Sequence, residues 1–75
     1  MADQAPALVW EKCREAYYAS VRDLSGTVSF YLIVEEMGGR CHWSVWRPGE
    51  SILEARHGSA RTPQEAMRYA ERAAT

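Results

Sequence analysis

The chain has 75 residues, 47% of them hydrophobic, with nine basic against ten acidic side chains and a formal charge of −1. That length and composition predict one folded domain over residues 1–75 and exclude a disordered chain. The balanced charge argues against a dedicated nucleic-acid binder, whose phosphate contacts draw on a basic surplus. No apolar run approaches the ~18 residues that would span a bilayer. The start, Met1-Ala2-Asp3-Gln4, lacks the basic-then-apolar pattern of a signal peptide. The expectation is therefore a cytoplasmic protein with no membrane partner.

Residues 6–24 read as an amphipathic helix. Pro6 suits a first helical position, and Val9, Cys13, Ala16, Tyr17 and Leu24 recur at three- and four-residue steps. Ser25-Gly26 supplies a stop. From Thr27 the period falls to two: Val28, Phe30, Leu32 and Val34 alternate with Ser29, Tyr31, Ile33 and Glu35, which predicts a strand over 27–36. Gly38-Gly39 reads as a two-residue hairpin turn into a second strand, 41–47. Pro48-Gly49 predicts the next turn and 51–57 a third strand. Thr62-Pro63-Gln64-Glu65 is a capping box that opens a helix over 63–74, with Ala66, Ala70, Ala73 and Ala74 as its small-residue face.

The predicted fold class is α+β: a two-layer α-β-β-β-α arrangement, a three-stranded antiparallel meander with two helices packed on one face. Pattern also predicts register. A Gly38-Gly39 turn pairs Leu32 with Val45 and Val34 with Trp43, and a turn at Pro48-Gly49-Glu50 pairs Val45 with Leu53 and Trp43 with Ala55. Apolar side chains then share one face. The other face, left open by a two-layer fold, carries the rows Tyr31–Trp46–Ile52, Ile33–Ser44–Glu54 and Glu35–His42–Arg56.

Element order and residues together resemble the double-stranded-RNA-binding domain from about Leu8 to Ala74. The likeness includes Tyr31-Leu32-Ile33-Val34-Glu35-Glu36 ahead of Gly38-Gly39, the alternation through Trp43 and Val45, and Gly58 before the last helix. It continues in Thr62…Glu65-Ala66…Ala70…Ala73-Ala74, which looks like that family's alanine-rich final helix. The resemblance implies both helices on one sheet face and duplex RNA on the helix side, where Arg61, Arg68 and Arg72 are the cations of this chain. The family's lysine pair at the start of the last helix is replaced by Pro63 and Gln64. Short chains of this order are also similar, in size and general style, to small bacterial and prophage proteins of unknown function.

No catalytic constellation stands out. Cys13 and Cys41 lack CxxC spacing and read as small buried hydrophobes. Cys41 and His42, adjacent on a strand, point to opposite faces and cannot share a metal ion. The reading favours a non-enzyme with no metal and no cofactor. Its expected contact surface is the open face, with Tyr31, Ile33, Trp46 and Ile52 at the centre and His42, Glu54 and Arg56 at the rim. The expected partner is an unidentified protein or a second copy in a homodimer, with RNA binding through Arg61, Arg68 and Arg72 as the alternative.

Overall fold

The computed structural model describes residues 8–74, apart from the side chain of Ile52. Five strands run β1 (Glu11–Cys13), β2 (Ala16–Arg22), β3 (Val28–Met37), β4 (Arg40–Trp46) and β5 (Arg56–Ala60). One α-helix among the described residues, α1 (Pro63–Ala73), follows. The strands form one antiparallel sheet in the order β1-β2-β3-β4-β5, so each pairs with its neighbours in sequence.

This corrects the expected arrangement of three strands and two helices. Within residues 6–24, Pro6 lies outside the described residues, and the described part holds two strands. Tyr17, Ala19 and Val21 alternate on β2 opposite Val34, Leu32 and Phe30 of β3. The helical spacing is incidental: Leu24 is 98% exposed in the β2–β3 turn and Cys13 is exposed on β1. β-branched and aromatic residues on β2 fit a pleated, half-buried surface, and that packing outweighs a weak helical pattern. The β1–β2 turn has no glycine; Arg14 takes its left-handed corner at φ 61°.

The β3–β4 hairpin has the expected register, with Leu32 opposite Val45 and Val34 opposite Trp43. Gly38 and Gly39 both have positive φ, 60° and 81°. That is the mirror-image turn whose twist suits a two-residue hairpin, and it strongly favours glycine.

The last strand is the second correction. Residues 52–54 form one 3-10 turn instead of strand, and β5 begins at Arg56. Val45 faces Arg56 and Trp43 faces Gly58, in place of Leu53 and Ala55. Leu53 is left 93% exposed. The reason is the Trp43 ring, which lies over residue 58. A Cβ there would sit 2.8 Å from its Cζ2, so any larger residue would force the ring or the strand to shift, and glycine fits opposite Trp43 without that cost.

One face of the sheet is closed by α1. Thr62 caps it: its Oγ1 accepts from the Glu65 N–H at 3.1 Å, and Glu65 Oε1 accepts from the Arg61 N–H at 3.0 Å. Ala66, Ala70 and Ala74 are buried against Leu32, Val34, Cys41, Val45 and Ala60. Small helix residues allow the backbone to approach the large strand residues closely. Trp10, ahead of β1, packs against both parts of this core, and its Nε1 donates to Glu71 Oε2 at 2.7 Å.

Candidate interaction face

Side chains alternate across a strand, so the register that buries Leu32, Val34 and Val45 turns their neighbours to the opposite face. Three rows stand there. Tyr18, Ile33, Ser44 and His57 form one, running across β2 to β5. Ser20, Tyr31 and Trp46 form the second, and Ala16, Glu35, His42 and Ser59 the third. The helix covers none of them, because it rides on the other side, over β3, β4 and β5.

The apolar centre is aromatic. Tyr31 and Trp46 are directly opposed, with ring centroids 5.8 Å apart and planes tilted by 32°. Tilted pairs of this kind are favourable beyond their buried area, by about 0.5–1.5 kcal/mol. Tyr18 stands beside Ile33 and is 45% exposed, while Tyr31 is 38% exposed. Around them lie serines, histidines and Glu35. On this face Arg40 Nη2 donates to Ser59 Oγ at 3.2 Å. Along the β2 margin, Val9, Glu11, Tyr18, Ser20, Arg22 and Tyr31 line an open groove of about 490 Å³.

Four of the seven residues expected on this face are therefore brought together: Tyr31, Ile33, His42 and Trp46. The displaced third strand removes the rest. Glu54 sits in the 3-10 turn and is exposed. Ile52 belongs to the same turn, and its side chain lies outside the described residues. Arg56 is on the helix side opposite Val45, where its Nη1 donates to the Ala73 carbonyl at 2.9 Å. Tyr18 and His57 are members that the sequence reading missed. Tyr18 was hidden by the helical reading, although its place in Tyr17-Tyr18-Ala19-Ser20-Val21 is a strand alternation. His57 needed the correct β5 register.

The cysteines are on opposite sides of the sheet. Cys13 is exposed at the β1 edge, and Cys41 is buried beneath α1. Burial, with the nearby Glu36 carboxylate, pushes the Cys41 thiol up from its ordinary pKa. Among the described residues no three His, Cys, Asp or Glu side chains gather as a metal set. Among the described residues no helix is long and apolar enough to cross a membrane.

Arg61, Arg68 and Arg72 are all exposed, at the start of α1 and along it. Glu65 stands among them and holds the Arg61 N–H. Comparison with family models, curated proteins and solved structures finds no match to this chain.

Proposed function

We propose that this chain is a small non-enzymatic interaction module that takes a protein chain, another protein's or its own, on the uncovered sheet face. One observation carries the reading: Tyr18, Tyr31, Ile33 and Trp46 stand together on the face away from the helix. Contiguous apolar side chains rimmed by polar ones mark contact surfaces, and aromatic residues supply most of the binding energy at such sites. The rim of Ser20, Glu35, His42 and Ser44 fits a protein interface better than a phosphate track, which would need an excess of cations.

Site-specific photo-crosslinking in cells expressing the chain tests this. A photoreactive side chain at Tyr31 is expected to give an adduct of defined mass that disappears in Trp46→Ala, while the same group at Arg68 on α1 gives none. No adduct at Tyr31, or identical adducts from Arg68, would overturn the reading.

A further inference from the structure

The two edges of the sheet are guarded differently. At the β1 edge the strand is only three residues long, and Trp10 just before it is tied to Glu71 on α1. Lys12 belongs to this edge, with its Nζ held 5.5 Å from the Tyr17 ring. Short strands and edge lysines discourage pairing with another chain.

β5 has none of these devices. It is five residues long, contains no proline or lysine, and pairs with β4 in an unbroken register. Among the described residues no strand lies beyond it. Its one charged side chain, Arg56, is tied back to the Ala73 carbonyl, clear of the outer edge. Such an edge is a template for another strand.

The sequence of β5 is also self-complementary. An antiparallel pair with a two-fold axis at Gly58 sets Arg56 against the partner's Ala60 and His57 against the partner's Ser59. Each pair matches a large side chain with a small one, and no like charges meet. Within the chain the same matching already occurs, with Ser44 opposite His57 and Ser59 opposite His42.

The helix layer fits this pairing. At about 100° per residue, Tyr69 lies on the opposite flank of α1 from Glu71. Glu71 reaches Trp10 on the β2 side, so Tyr69 overhangs β5, and it is 38% exposed. With α1 riding over β4, joined sheets would hold the two helices about 14 Å apart, three strand spacings. Packed helices sit about 8–10 Å apart. The excess leaves room for one large side chain from each copy, a place that Tyr69 would fill.

We propose that β5 pairs with β5 of a second copy across a two-fold axis at Gly58, forming a ten-stranded sheet with both helices on one side. This goes beyond the reading of the open face and does not depend on it. Its consequence for that face is doubling: the two aromatic surfaces become one continuous platform.

Sedimentation equilibrium, with amide hydrogen exchange across a concentration series, tests the proposal. The expected result is a dimer in which amides of 56–60 gain protection as concentration rises. His57→Glu combined with Ser59→Glu sets carboxylate against carboxylate twice across the axis and should return the chain to monomer. His57→Glu combined with Ser59→Lys sets opposite charges together and should restore the dimer, which a merely misfolded variant could not do. Trp46→Ala should leave the dimer intact. A wild-type monomer at every concentration, or a dimer indifferent to the paired carboxylates, would overturn the proposal. So would a dimer lost in Trp46→Ala alone, and that outcome would favour self-association through the open face.

Discussion

The two faces of the sheet both carry large apolar side chains and use them in opposite ways. On the covered face the large residues belong to the strands and the small ones to the helix. Leu32, Val34 and Val45 are almost wholly buried beneath Ala66, Ala70 and Ala74. On the other face, Tyr18, Tyr31 and Trp46 rise from a floor of serines and histidines, and among the described residues no helix lies over them. One helix can close one side. The contrast teaches that most of the burial resides in the first face, while the second keeps its aromatic surface partly open.

Substitutions at paired positions sharpen this contrast, and the largest effect is expected in the core. Leu32→Ala should lose about 2–5 kcal/mol of unfolding free energy, since it opens a cavity beneath α1. Tyr31→Ala, one residue away and on the other face, should lose less, about 1–2 kcal/mol, most of it the ring contact with Trp46. Urea titrations of both variants would measure the gap, and equal losses would break the distinction between the faces.

A smaller loss is expected at Gly58, where an added methyl group would meet the Trp43 ring at 2.8 Å. Gly58→Ala should cost about 1–3 kcal/mol through overpacking. Trp43→Leu in the same background should recover part of it by removing the obstructing ring. Thermal melts of the single and double variants would show the recovery.

The smallest effect belongs to neither face. Asp23 accepts from Ser25 Oγ at 2.6 Å and from the N–H groups of Ser25 and Thr27 at 2.9 and 3.0 Å. The Ser25 hydroxyl, then the Thr27 N–H, hold its carboxyl below the usual carboxylate range. A lowered folded-state pKa gives stability that is present above the unfolded value and lost as pH falls through the folded one. Acid titration of the melting temperature should therefore fall more steeply in the wild type than in Asp23→Asn. Parallel curves would remove Asp23 from the account.

Parts of this molecule could be read from its residues because several local signals agreed. Strict alternation from Val28 to Glu35, with two glycines placed for a tight turn, fixed the β3–β4 register. Thr62, Pro63 and Glu65 marked the start of α1 in the same way. Elsewhere the signals disagreed. In β2 the side chains gave both periods, and Arg14-Glu15 lacks the glycine, asparagine or proline that announces a turn. β5, Arg-His-Gly-Ser-Ala, contains no good strand former, whereas Ile52 and Leu53 look like strand and lie in a turn. Its pairing is decided by Trp43, a residue on another strand, and no window within β5 records that contact. The candidate face followed the same division: Tyr31, Ile33, His42 and Trp46 rested on the legible hairpin, while Ile52, Glu54 and Arg56 rested on the misplaced strand.

The bond from Trp10 to Glu71 joins residues 61 positions apart, across nearly the whole described chain. The strand pairs, by contrast, all link consecutive elements, so the sheet can zip together through short loop closures with little entropy lost at each. The surface that receives α1 comes from three strands, and Trp10 in turn docks against that helix. This bond is thus a long-range tie laid over a sheet whose strand pairings are all short-range. The beginning of the described chain becomes the latch that holds its end in place.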